Sequence, residues 1–183
     1  MESEKRKMNF RNLKENEIDC RIGQINDKGL TLLLYKDARC DMNILDETVG
    51  ATNWKRIHTR DNANCIVSIW DKEKGQWIDK EDTGTESFTE KEKGLASDSF
   101  KRACVNWGIG RELYTAPFIY IPADKCNIAV NQKGKYYTYD KFHVEAIKYN
   151  DKNEIIGLSI KNQKNERVFL IKPKEEAKNE DNK

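Results

Sequence analysis

Lysine and arginine side chains are of the types that hold a phosphate backbone. Lys101 and Arg102 are adjacent in one run, and Arg39 opens an earlier one. An arginine guanidinium grips a phosphate through two parallel hydrogen bonds, while a lysine ammonium is a mobile point charge. Contacts of this kind fix a strand without reading its bases. A second group of cations, Lys93, Lys55, Arg56, Arg60 and Arg111, could line a groove with them or form a second path, but any one of them reads first as ordinary surface. Plainer readings stand beside these. Asp98 and Arg102 have the i, i+4 spacing of a helical ion pair, and Arg39 has Asp37 and Asp41 as neighbours for a salt bridge.

These residues need elements to position them. The run over 90–114, EKEKGLASDSFKRACVNWGIGRELY, places Ala96, Phe100, Ala103, Cys104 and Trp107 at helical spacing on one apolar face. The opposite arc carries Lys91, Asp98, Lys101 and Arg102, with Val105 as its one apolar intruder. Thr89 and Glu92 have the spacing of a capping box, and Gly108 suits the left-handed residue that closes a helix. The spacing predicts a second helix over 38–49, carrying Arg39, with Met42, Leu45 and Val49 on one face and Gly50 at its end. Strands are expected over 18–25 and 30–35 around the turn 26–29, then as a meander over 54–59, 64–70 and 76–80. The β-branched and aromatic CIVSIW suits the central strand of that meander. Further strands are expected over 118–121, 136–139, 142–149, 155–160 and 168–171, with turns at 150–153 and 162–165.

The pattern predicts an α+β protein in which an antiparallel hairpin and meander pack on a basic amphipathic helix. The expected divisions are a polar arm over 1–16, a core over 17–122, a β-rich extension over 123–171 and a disordered tail over 172–183. Among 183 residues, 33 Lys and Arg oppose 31 Asp and Glu, so a net charge of +2 neither announces nor excludes a nucleic acid. Any polyanion site must come from local clustering. Five scattered cysteines, with no C-x-x-C pair, argue against a zinc site or a disulfide framework and suit reduced thiols in a cytoplasm. No run has the length of a membrane span, and the first residues lack the apolar stretch of a secretory signal. No G-x-x-x-x-G-K-[ST] loop for ATP occurs. His58 and His143 each lack an evident nucleophile beside them. The acidic run Asp79-Lys80-Glu81-Asp82 reads as a solvated turn before it reads as a Mg²⁺ site. Trp54, Trp70 and Trp107 read as core, while Trp77, Tyr136 and Tyr137 are looser candidates for stacking on bases.

Three blocks, in order, carry a family resemblance. They are ARCDMNILDETVGATNW over 38–54, the strand-rich stretch 57–83, and GLASDSFKRACVNWGIGRELY over 94–114. Together they resemble the Rad fifty-two/Rad twenty-two-like single-strand annealing proteins of the phage and prophage type. The resemblance implies a curved antiparallel sheet backed by the basic helix, in subunits that join into rings or helical arrays. It implies that Lys101, Arg102 and Arg39 face the groove that holds single-stranded DNA, and that Lys93 stands at a position often basic in the family. Val105 departs from the pattern, where another basic residue is sometimes found. The implied activity is annealing of complementary strands in recombination and repair, without ATP, cofactor, metal or catalytic residue, hence not an enzyme. The implied partners are single-stranded DNA, further copies of the chain, a 5′→3′ exonuclease and a single-strand-binding protein in a bacterial host cytoplasm, with no membrane. Two other readings stay open: a non-catalytic scaffold that recruits a replication or repair partner, and a metal-dependent nuclease.

Overall fold

The structure, a computed structural model, describes residues 8–85 and 91–173, the side chains of residues 91–93 excepted. In chain order its elements are β1 (Ile18–Asn26), β2 (Gly29–Lys36), α1 (Ala38–Val49), β3 (Trp54–Thr59), β4 (Asn64–Asp71), β5 (Gln76–Thr83) and α2 (Lys91–Trp107). Then follow β6 (Ile119–Pro122), β7 (Ala129–Val130), β8 (Tyr136–Tyr137), β9 (Phe142–Tyr149), β10 (Ile155–Asn162) and β11 (Arg167–Ile171). The protein is α+β, with two helices and antiparallel sheets. The expected capping box at Thr89 and Glu92 lies outside the described residues, as does the predicted tail beyond Pro173.

Two compact units share the chain. Of the described residues, one unit comprises 8–13 and those between Lys36 and Tyr114, and the other comprises Lys14–Tyr35 and 115–173.

In the first unit, β3, β4 and β5 form an antiparallel meander. Alternation along β4 sends Cys65, Val67 and Ile69 to one face, where all three are buried. α2 packs on β4 and β5 with Phe100, Ala103 and Cys104 fully buried, so the apolar stripe read from the sequence is the stripe that is covered. β5 runs to Thr83, past the expected end at Lys80. The acidic run 79–82 is therefore a strand that divides its charges between two faces rather than a solvated turn. The β3–β4 connection passes through three consecutive left-handed residues, Arg60, Asp61 and Asn62, with φ of 52°, 51° and 69°. The Asn62 carbonyl accepts from Ser99 Oγ at 3.0 Å, tying the turn to α2. Gly84 lies so close to α2 that a Cβ there would stand 2.5 Å from Ser99 N.

α1 has the predicted bounds but turns a different face inward. Cys40, Asp41, Ile44 and Leu45 are buried, while Met42 and Val49 are partly exposed. The expected polar arm also differs. Phe10 and Leu13 are both buried, and Leu13 N–H donates to Glu112 Oε1 at 2.7 Å across 99 residues of sequence. Two isolated apolar residues give no period to read, and only the tertiary contact shows their role.

In the second unit, six strands run in the order β11-β10-β9-β1-β2-β6. β6 pairs with β2 from Gly29↔Pro122 to Leu32↔Ile119, and β1 meets β9 at Asp19↔His143. The segment 123–171, set apart in the sequence as an extension, supplies β9, β10 and β11 to the sheet that holds β1, β2 and β6. A boundary at Pro122 thus falls inside one sheet, because strand patterns do not announce distant partners. The hairpin turns form where expected, with Asn153 and Asn165 each at a φ of 61°, a conformation asparagine tolerates. Glu145 of β9 accepts from Ser159 and Lys161 of β10 and from Arg167 of β11, at 2.6, 2.7 and 2.8 Å, fastening three strands together.

The Leu13–Glu112 bond yields a test. Glu112→Ala leaves a buried N–H without its acceptor, which costs about 1–3 kcal/mol. Urea unfolding is expected to show that loss, whereas an unchanged midpoint would mean that the N-terminal stretch is not anchored there.

Candidate nucleic-acid interface

The first turn of α1 organises the site. Asp37 has extended backbone angles and caps the helix, its Oδ1 accepting from Arg39 N–H at 2.6 Å. Its Oδ2 accepts from Arg39 Nε at 3.1 Å and Nη2 at 2.7 Å. The Arg39 guanidinium holds the Asp37 carboxyl below its usual range, and the same contact raises Arg39. Arg39 is 82% exposed and Asp37 45%.

One turn along, Asp41 is wholly buried and ion-paired with Lys36 Nζ, itself only 5% exposed. Asp41 Oδ2 has no hydrogen-bond partner among the described residues. Burial pushes the Asp41 carboxyl up to about 6, against the pull of Lys36 and Lys101. The Lys36 stem needs Gly110, at a φ of 69°, because a Cβ there would fall on the lysine methylenes. The Lys101 charge is felt weakly at both Asp37 and Asp41, lowering each carboxyl. Arg39 is bound to Asp37, and Lys101, from the other helix, acts on the same carboxylate through its charge.

Arg102 goes elsewhere. Successive helical residues diverge by about 100°, and Arg102 Nε reaches Asp82 Oδ1 on β5 at 3.3 Å. Asp82 also accepts from Asn106 Nδ2 at 3.2 Å. Asp98, spaced for Arg102, instead accepts from the Thr85 N–H at 2.9 Å. The neighbouring Lys-Arg pair is thus split between the α1 side and the β5 side of α2.

The second group of cations scatters. Arg56 lies over the Phe100 ring at 4.8 Å, on the face of the meander that α2 covers. Trp54 stacks on Phe100 from the same strand and donates from Nε1 to Asp46 Oδ1 at 2.6 Å. Lys55 points to the opposite face, over Trp77 at 4.4 Å, with Trp70 edge-on to that indole. Trp77, a loose candidate for stacking on bases, thus has both neighbours from its own sheet. Arg60 is exposed in the β3–β4 turn. Arg111 donates to the Val105 and Asn106 carbonyls at 2.8–3.1 Å, and Lys80 Nζ adds a bond to Asn106 O at 2.7 Å. Both satisfy carbonyls that the last turn of α2 leaves open. The Lys93 side chain lies outside the described residues.

Sequence reasoning missed the buried Lys36–Asp41 pair and the capping by Lys80 and Arg111. The one available signal for the pair was an aspartate one position from Cys40 on the face that carries Ile44 and Leu45. All five cysteines are free thiols, and burial pushes Cys65 up to about 11 and Cys20 to about 12. Among the described residues no three His, Cys, Asp or Glu side chains are grouped to hold a metal ion. No helix among them is long and apolar enough to cross a membrane. No protein-family model, curated protein or solved structure matches the chain.

Asp41 gives a pH test. Its folded carboxyl lies above the unfolded value of about 3.9, so the folded state keeps a proton that the open chain loses. The stability this group contributes is greatest below about pH 4 and falls as pH rises through about 6. Subtracting Asp41→Asn from wild type in urea titrations is expected to show that decline. Parallel curves from pH 4 to 7 would contradict the raised value.

Proposed function

We propose that this protein binds single-stranded DNA and anneals complementary strands without ATP. The observation that carries the reading is the exposed Arg39 guanidinium at the start of α1, held by Asp37, a carboxylate that also feels the Lys101 charge from α2. The three sequence blocks that resemble the annealing proteins supply these residues and the meander and helix behind them. In this reading the meander with its basic helix is the annealing-protein fold, with its sheet curved. Copies of the chain join side by side, as a ring or a helical array, so that the cation sites form a continuous groove.

Phosphates bind along that groove and the bases stay outward, free to sample a partner. Neutralising phosphate repulsion releases counterions, so affinity falls with salt by a slope of about −0.7 per phosphate contact on a single strand. An exposed cation such as Arg39 suits this task, since phosphates can reach it from solvent. No bond is broken and no cofactor is needed. A 5′→3′ exonuclease that makes the strands and a single-strand-binding protein that covers them are the partners this chemistry fits, in a bacterial host cytoplasm.

The test is annealing of two complementary fluorescent oligonucleotides, without ATP, by wild type and by Arg39→Ala/Lys101→Ala. Rapid annealing by wild type, lost in a variant that still assembles, is expected. Annealing that survives the double substitution would remove the groove from the mechanism. Absence of annealing by wild type would favour a scaffold whose basic surface recruits an acidic partner protein.

A further inference from the structure

We infer that Asp37 is a positioning residue that holds Arg39 in the way a phosphate would, so that a strand binds here by exchanging one oxyanion for another. The inference rests on the single-strand-binding reading above. Asp37 Oδ2 lies on the edge of the guanidinium formed by Nε and Nη2, at 3.1 and 2.7 Å, which is the edge a phosphate grips bidentately. Its Oδ1 accepts at the same time from the Arg39 N–H at 2.6 Å, so the carboxylate is held by the helix start. Both side chains are open to solvent, and an exposed pair of this kind is weak enough for an incoming anion to displace. Lys101 lies in the field of the same carboxylate.

Asp37 thus binds Arg39 directly and acts on Lys101 through its charge. It keeps Arg39 oriented when no strand is present and opposes each phosphate that arrives. A strand with many phosphates overcomes this competition along its length, and a single phosphate is readily released. Local release suits a protein that must let paired segments go.

The test uses the full chain and a fluorescent oligonucleotide, with anisotropy read over a series of salt concentrations. The proteins are wild type, Asp37→Asn, Arg39→Gln and the double variant. Asparagine caps a helix as well as aspartate does, so α1 is retained while the competing charge is lost. Asp37→Asn is expected to bind about two- to fivefold more tightly at low salt, the span of one exposed ion pair. Its salt slope is expected to steepen by up to about 0.7, and the gain is expected to shrink in the Arg39→Gln background. If wild type binds the strand but Asp37→Asn binds no better, the inference is overturned. A gain of full size without Arg39 would also overturn it, by showing a general charge effect. Wild type that binds no strand at any salt would fail the underlying reading instead, a result distinct from the other two.

Discussion

The contact between Lys36 and Asp41 sets how the first unit is arranged. Two opposite charges removed from water are costly to bury, and a buried pair holds only while both members stay. The pair ties the end of β2 to the first turns of α1 and so fixes the rotation of that helix. With Asp41 turned inward, Cys40, Ile44 and Leu45 follow it into the core, and Asp37 and Arg39 are left at the surface. The same contact requires space beside the lysine stem, which Gly110 provides at the far end of α2. One polar interaction therefore governs the facing of α1, the path of the chain after α2 and the exposure of the cations.

The cations around α2 are of two kinds. Lys80 and Arg111 bond to carbonyls of its last turn, and Arg102 leans on Asp82. Lys55 rests on an indole and Arg56 on a phenyl ring. These contacts close a helix or cover aromatic surface, and they would have to be given up before the same groups could take a ligand. Arg39 differs, because its partner is an exposed carboxylate whose removal leaves the helix cap available to asparagine. A count of lysines and arginines in the sequence treats all of these groups alike.

Local signals in the sequence were legible. The bounds of α1, β3 and β9 match expectation, and so do the asparagine turns, because helical period, β-branched runs and turn chemistry act over a few residues. The stripe from Phe100 to Cys104 was equally readable. Interactions that join distant residues were not. Lys36 and Asp41 look like surface charges until the fold buries them, and Leu13 carries no mark of its bond to Glu112. The separation of Lys101 from Arg102 was written in the helical repeat, yet their destinations depended on where Asp37 and Asp82 would lie. Nor did any pattern show that β9 would sit beside β1.

The chain leaves the second unit at Tyr35 and returns to it at Thr115. During vectorial synthesis the β1–β2 hairpin emerges early, with Leu30 and Leu32 destined for burial but without β6 or β9 beside it. Its neighbours arrive only after the whole meander and α2 have been made, as the Tyr120 hydroxyl bond to Lys28 O across 92 residues illustrates. The meander and α2 follow one another in the chain and can pack together meanwhile, while the hairpin waits with apolar surface uncovered. Completion of the six-stranded sheet thus depends on strands made long after the hairpin, and the hazard of early association is concentrated in that one short hairpin.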